Sequence, residues 1–146
     1  MSTTTGFSDD ERAAMQQRAE ELRTTKGLKG AAKMAKELEA CVEAIDALDG
    51  VDRDVAATLH RVVTEVAPGL APKTWYGFPS YASDGDVVVF YQPASKFGTR
   101  YGTVGFQETA ALDDGGMWAT SFAVVEVTEE VEATLRKLVA RATDPR

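Results

Sequence analysis

The spacing of apolar residues along the chain changes at Lys73. Before this point apolar side chains recur every three or four residues, which is the spacing of one face of an α-helix. After it they alternate with polar residues or form short runs, as β-strands do, until the helical spacing returns near residue 129. Helices followed by consecutive strands and one further helix predict an α+β protein, with the helices packed on one face of a small antiparallel sheet.

Capping residues predict where the first helix begins. Ser8 and Glu11 form an S-x-x-E capping box, and the helix is expected to extend over Asp9–Thr24. Its apolar stripe is too thin to bury much surface, so we expect a peripheral helix. That stripe consists of Met15, Ala19 and Leu22.

Three further helices have stronger signals. The second is predicted over residues 31–48, the third is capped by Asp52 and ends near Val66, and the last follows Thr128 over residues 129–141. The expected inner face of the second helix consists of Met34, Leu38, Cys41, Val42, Ile45 and Leu48.

The middle of the chain predicts four or five antiparallel strands. Residues 74–76 and 79–82 form two strand pieces with a hinge at Gly77, and Asp84-Gly85 is a typical hairpin turn. The other predicted strands cover residues 87–92, 101–106 and 121–127.

Composition and charge exclude several classes of protein. The 146 residues contain no apolar run of the roughly 20 residues that a bilayer span requires. Residues 1–6 lack the features of a signal peptide, and the single cysteine suits a reducing compartment, so a cytoplasmic location is expected. A net charge of −7 argues against binding to nucleic acid.

Neither candidate nucleophilic group has the surroundings that catalysis needs. The one histidine, His60, lies in the middle of the third helix beside apolar residues, where a packed boundary position is expected. Cys41 lies on the inner face of the second helix and is expected to pack as a small apolar residue. The sequence therefore predicts a protein without enzymatic activity.

Carboxylates on the second helix form the candidate metal site. Glu39, Glu43 and Asp46 are spaced to share one side of that helix, and oxygen ligands of this kind suit Fe²⁺, Mn²⁺ or Ca²⁺. The alternative is a solvated acidic face relieved by neighbouring lysines. A second acidic pair, Asp113-Asp114, precedes two glycines and is interpreted as a turn.

Aromatic residues concentrate in the strand region and suggest a binding surface. Eleven of the twelve aromatics lie between Trp75 and Phe122. Half of them are expected to leave the core face, because side chains alternate along a strand. The candidate ligand-binding residues are Trp75, Tyr76, Lys96, Tyr101 and Trp118. The alternative is that these aromatics only pack the sheet.

The segment from Lys73 to Tyr81, KTWYGFPSY, resembles the Tyr-Gly-x-Pro strand motif of the YdhG-like bacterial domains of unknown function. Residues 87–92, the stretch MWATSF at 117–122 and the final helix also fit this family. The resemblance implies a frataxin-like α+β fold. Some members are described as iron chaperones that deliver iron to iron–sulfur cluster or haem assembly proteins. Such members often carry an acidic residue where this chain has Pro72 and Lys73.

Together these observations predict one YdhG-like domain, with residues 1–29 as a helical extension and residues 30–146 as the core. The leading hypothesis is a non-enzymatic cytoplasmic protein, an iron-binding or iron-chaperone accessory without membrane or nucleic-acid partners. Two alternatives stay open: a small-molecule or peptide binding domain that uses the aromatic face, and a homo-oligomer that associates through that face.

Overall fold

A computed structural model describes residues 7–144 of the chain. This part folds into five helices and a five-stranded antiparallel sheet, which confirms the α+β prediction. The helices are α1 (Asp9–Thr24), α2 (Gly30–Asp46), α3 (Gly50–Val66), α4 (Ala94–Phe97) and α5 (Glu129–Ala142). The strands are β1 (Ala71–Trp75), β2 (Phe78–Ser83), β3 (Asp86–Gln92), β4 (Gly102–Phe106) and β5 (Ser121–Val124). The prediction about a leader at residues 1–6 lies outside the described residues.

The sheet is a simple meander in which each strand pairs with the next one along the chain, in the order β1-β2-β3-β4-β5.

Gly77 is not the hinge that the sequence predicted. Tyr76 and Gly77, with φ of 57° and 84°, form a two-residue turn that brings Trp75 opposite Phe78. Positive φ at both positions is typical of a type I′ turn, whose twist matches that of the strands it joins. The predicted turn at Asp84-Gly85 is confirmed.

Helices α2, α3 and α5 supply the residues that cover one face of the sheet. Val89 and Tyr91, two positions apart on β3, are fully buried in the same cluster as Leu59 of α3 and Val139 of α5. Phe90 lies between them and is directed to the opposite face, because side chains alternate along a strand. Burial of a side chain such as Leu59 contributes about 2 kcal/mol to folding.

The capping predictions at both ends of the described chain are confirmed. Ser8 Oγ accepts a hydrogen bond from the N–H of Glu11 at 3.1 Å, and the Glu11 carboxylate accepts one from the N–H of Ser8 at 2.8 Å. Thr128 Oγ1 accepts from the N–H of Val131 at 3.1 Å and begins α5. These contacts join residues only three positions apart, so local sequence is sufficient to predict them.

The prediction that Asp52 caps α3 is wrong. The helix begins at Gly50 after Asp49, and Asp52 lies inside the first turn. Its side chain is buried and accepts hydrogen bonds from the N–H groups of Ala94 and Ser95, at 2.9 and 3.0 Å. Asp52 therefore stabilises the start of α4, a short helix that is not among the elements predicted from the sequence.

The predicted inner face of α2 is too wide. Cys41 and Ile45 are buried, but Met34, Leu38 and Val42 are 55%, 42% and 38% exposed. The helix lies against β1 and β2 near the edge of the sheet, so only a narrow strip of its surface is covered.

The search for membrane-spanning helices covered residues 7–144. None of the helices in this range combines the length and the apolar character that crossing a bilayer requires.

Candidate functional site

A groove of about 790 Å³ lies between α1 and α2 and extends over β1. Residues that line it include Arg18, Leu22, Ala40, Ala44, Thr74 and Gly77. Ala40 and Ala44 end at Cβ, so the side of α2 that faces the groove leaves space beside it. The volume lies within the range of sites that bind small organic molecules.

Helix α1 approaches the rest of the fold with a polar face. Ala14, Arg18, Glu21 and Thr25 recur at helical spacing and are buried or partly buried. The predicted apolar stripe does not pack into the core: its three residues, Met15, Ala19 and Leu22, are exposed, and Leu22 borders the groove. The helix is peripheral, as expected, but it is held by polar contacts because its apolar residues are too few to form a core face.

The central polar contact of α1 is made by Glu21 with the Tyr76-Gly77 turn. Glu21 Oε1 accepts a hydrogen bond from the N–H of Tyr76 at 3.2 Å, and Oε2 accepts one from the N–H of Gly77 at 2.8 Å. Arg18, one turn earlier on α1, is paired with the same carboxylate at 3.2 Å. The Glu21 side chain is only 11% exposed, so the carboxylate is largely enclosed by these partners.

Lys96 of α4 brings a positive charge to the same turn. A Cβ atom at position 77 would lie 2.8 Å from Lys96 Nζ, so the ammonium group rests directly against Gly77. Within residues 7–144, Lys96 takes part in none of the ion pairs between a cationic side chain and a carboxylate. The turn therefore has a cation beside it that is not ion-paired with Glu21.

Two other lysines of the groove are paired with carboxylates of α2. Lys73 Nζ lies 3.7 Å from Glu37 Oε2, with the two side chains only 13% and 16% exposed. Lys36 lies 3.5 Å from Glu39, on a more exposed part of the helix. The groove is thus lined by charges of both signs over a partly apolar wall.

A cluster of aromatic side chains packs on the face of the sheet opposite α2, α3 and α5, and includes Phe97 of α4. Trp75 meets Phe90 edge to face, with ring centroids 5.6 Å apart, and Phe78 contacts both Phe90 and Phe97 at 5.9 and 5.7 Å. Trp75, Phe90 and Phe97 are half-buried, so the cluster largely shields itself. The expected division of the aromatics between two faces of the sheet is present.

The predicted ligand-binding residues do not form one site. Trp75, Tyr76 and Lys96 lie together around the β1–β2 turn. Tyr101 immediately precedes β4, whereas Trp118 lies in the loop that returns to the far end of that strand, where Phe106 is hydrogen bonded to Thr120. Tyr101 and Trp118 are therefore separated by the length of β4.

The acidic residues of α2 do not converge. Glu39 is paired with Lys36, Asp46 lies 3.6 Å from Arg53, and Glu43 borders the groove. In residues 7–144, no group of three or more His, Cys, Asp and Glu side chains is placed to hold a metal ion. The predicted iron site has no support from this geometry. Asp113 and Asp114 are exposed and directly precede a turn at Gly115-Gly116, in the segment interpreted as a turn from the sequence.

His60 and Cys41 are joined through a buried tyrosine. The Tyr81 hydroxyl lies 3.0 Å from His60 Nδ1 and 3.9 Å from Cys41 Sγ. Burial lowers the pKa of His60 and raises the pKa of Cys41 to about 11. A neutral imidazole and a protonated thiol suit a packed interior, which agrees with the structural role that the sequence predicted for both.

Glu21 is the site residue that sequence reasoning missed. It lies 55 and 56 residues from the amides that it binds, and its local sequence resembles that of any exposed helical glutamate. The spacing of Ala14, Arg18 and Thr25 around it could have indicated a polar packing face, although no apolar pattern marks it.

Comparison with protein-family models, with curated protein sequences and with solved structures finds no match to this chain. The YdhG-like resemblance therefore stays a prediction, and the functional argument rests on the groove and on the contacts around it.

Proposed function

We propose that this protein is a non-enzymatic binding domain for a small organic molecule, which occupies the groove between α1 and α2. The observation that carries the proposal is the groove itself, with about 790 Å³ of space beside a turn with paired backbone donors. Pockets of this size with a partly apolar wall and a few placed polar groups are typical of small-molecule sites.

Only some of the ligand-binding residues predicted from the sequence belong to the proposed site. Trp75 and Tyr76 belong to the end of the hairpin that borders the groove, and Lys96 adds a charge there. Tyr101 and Trp118 are not part of the proposed site. The ligand is therefore expected to contact the groove side of the β1–β2 hairpin rather than the whole open face of the sheet.

The proposal can be tested with a panel of charged metabolites and short peptides. In a Trp118→Phe background, Trp75 is the remaining tryptophan of the chain, so its fluorescence reports on changes in the β1–β2 hairpin, whose Thr74 and Gly77 line the groove. A true ligand should change this fluorescence and raise the unfolding temperature, since binding to the native state stabilises it.

A matched pair of variants separates groove binding from other effects. Ala44→Leu narrows the groove by adding three carbon atoms to its α2 wall, whereas Ala133→Leu adds the same atoms at an exposed position of α5. Binding that weakens about tenfold or more in Ala44→Leu and is unchanged in Ala133→Leu would support the groove. Equal affinity for a ligand in both variants would exclude the groove as its site.

The frataxin-like fold, the iron role, partners among iron–sulfur or haem assembly proteins and the cytoplasmic location stay predictions that follow from the resemblance and the composition. Anaerobic titration of Fe²⁺ into the protein and into Glu43→Ala tests the iron hypothesis. Equal heats of binding for the two proteins, or no heat for either, would exclude the α2 carboxylates as iron ligands. Light scattering at high concentration tests self-association.

A further inference from the structure

We propose that the Tyr76-Gly77 turn and Lys96 form a subsite for a carboxylate group of the ligand, and that Glu21 of α1 occupies this subsite as an internal carboxylate. The inference rests on the proposed function, because it assigns a chemical class to one end of the molecule that the groove takes. It also gives α1 a role, since the helix carries a group that competes with the ligand.

The hydrogen bonds of Glu21 define what the subsite accepts. Its two oxygens each take one backbone N–H, from Tyr76 at 3.2 Å and from Gly77 at 2.8 Å. Successive amides in a turn of this kind point in similar directions and form a small concave site for an anion. Two donors that each bind one oxygen of a single carboxylate match the planar, two-oxygen shape of that group.

Lys96 offers the subsite a charge contact that Glu21 does not use. Its ammonium group rests against Gly77, yet Glu21 is paired with Arg18 and not with Lys96. A ligand carboxylate that entered from the groove could bind the two amides and approach Lys96 at the same time. Glycine at position 77 allows this approach, because a Cβ there would lie 2.8 Å from Nζ.

Displacement of Glu21 requires little loss of apolar packing. Ala14 is the buried residue of α1, and Met15 and Leu22 are already 48% and 56% exposed. Segments with few buried apolar contacts open at much lower free energy than the core. A carboxylate ligand can therefore replace Glu21 by shifting α1 alone, while the sheet and the helices packed on it stay in place.

Acetate is the probe that tests the subsite, with the amide NMR signals of Tyr76 and Gly77 as the readout. In Glu21→Ala the two donors lose their internal partner, so acetate at constant ionic strength should shift both signals in a saturable way. The affinity should be about tenfold or more above that of the unaltered protein. Adding Lys96→Ala should weaken it again, and acetamide, which has the same shape without the charge, should bind poorly.

Glu20→Ala is the matched control, because Glu20 is the exposed neighbour of Glu21 on the same helix and pairs with Arg23. It removes the same charge without touching the turn, so its acetate affinity should equal that of the unaltered protein. The proposal is overturned by any one of three results. These are the absence of an acetate-dependent shift in folded Glu21→Ala, acetate binding by Glu20→Ala as tight as by Glu21→Ala, and binding of acetamide by Glu21→Ala as tight as that of acetate. If Glu21→Ala does not fold, Glu21→Gln replaces it, with an intermediate affinity expected and unchanged affinity overturning the proposal.

The outcomes separate this inference from the proposed function. A ligand that is blocked by Ala44→Leu, combined with no acetate binding in Glu21→Ala, would overturn the carboxylate subsite and leave the groove function standing. Acetate binding in Glu21→Ala, combined with a ligand that ignores Ala44→Leu, would support the subsite and overturn the groove function.

Discussion

The hydroxyl of Tyr91 donates a 2.6 Å hydrogen bond to Oδ1 of Asp52, across the interface between the sheet and α3. Both residues are buried, and Asp52 also binds the first amides of α4. Burial alone would raise the pKa of Asp52, but the hydrogen bonds from Tyr91 and from the amides outweigh it and lower the pKa. The contact therefore ties three elements together at the end of β3 that leads to α4.

Loss of this hydrogen bond should destabilise the protein measurably. Tyr91→Phe leaves the Asp52 carboxylate without its shortest partner, and we expect the free energy of unfolding to fall by about 1.5–3 kcal/mol, as for hydrogen bonds to charged groups. Urea unfolding checks the value. The control is Tyr101→Phe, which removes a hydroxyl from an exposed ring and should change stability by less than about 0.5 kcal/mol. Equal effects of the two substitutions would contradict the assignment.

A side chain at position 102 should not be tolerated. A Cβ atom on Gly102 would lie 2.0 Å from the Tyr91 hydroxyl oxygen and 2.5 Å from its ring, so Gly102→Ala must displace a fully buried tyrosine. We expect a loss of about 1–3 kcal/mol or more in urea unfolding, typical of overpacking. Gly116→Ala is the control, because nothing lies within 4 Å of the added atom. A fully stable Gly102→Ala protein would show that this close approach is wrong.

The acid sensitivity of the protein should depend on Glu132. Hydrogen bonds from Arg61 and then from Arg136 lower the pKa of this carboxylate to about 2, from an ordinary value of 4.5. Between these two pH values the unfolded chain binds a proton that the native state does not bind. The contribution of Glu132 to stability is therefore complete above about pH 4.5 and is lost as the pH falls towards about 2.

Urea unfolding as a function of pH can measure this contribution. Glu132→Gln should show a shallower decrease of stability below about pH 4.5 than the unaltered protein. Glu126→Gln, at an exposed position outside the ion pairs described for residues 7–144, is the control and should keep the original slope. Parallel curves for all three proteins would refute a role for Glu132.

Cys41 should be unreactive in the folded protein. Its side chain is fully buried, and burial raises the pKa of the thiol to about 11, so very little thiolate is present near neutral pH. Labelling of the folded protein by an aromatic disulfide reagent should require opening of the core and should therefore be much slower than labelling of the unfolded chain at the same reagent concentration. The urea-unfolded chain, in which Cys41 is free, should react at once. Rapid stoichiometric labelling of the folded protein would show that this part of the core is accessible.

The sequence predicted most of the helices and strands because their signals are local. The capping box at Ser8, the turn at Asp84-Gly85 and the Thr128 cap involve residues at most three positions apart, and all three are confirmed. The wrong prediction for Asp52 concerns a side chain with distant partners. An aspartate such as Asp52 is a favourable N-cap residue, so the sequence predicted a cap. Its actual partners are 39–43 residues away, and the local sequence pattern does not reveal them.

The candidate site was predicted only in part for the same reason. Trp75, Tyr76 and Lys96 were identified from the aromatic and basic content of the strand region, and they do lie around one turn. Tyr101 and Trp118 share that composition, yet strand pairing places them at opposite ends of β4. Composition identifies the residues that can bind a ligand, whereas register decides which of them are neighbours.

Local spacing and capping determined the α+β class, the order of the elements and most of their limits, because a helix or a tight turn depends on residues a few positions apart. Tertiary structure alone decided that α1 packs with a polar face and that its Glu21 meets the amides of Tyr76 and Gly77. A backbone amide can donate to any carboxylate oxygen within reach, so the position of the helix decides that Glu21 is the partner. The physical reason is that backbone N–H groups are the same at every residue except proline, and only the fold decides which of them converge on one acceptor.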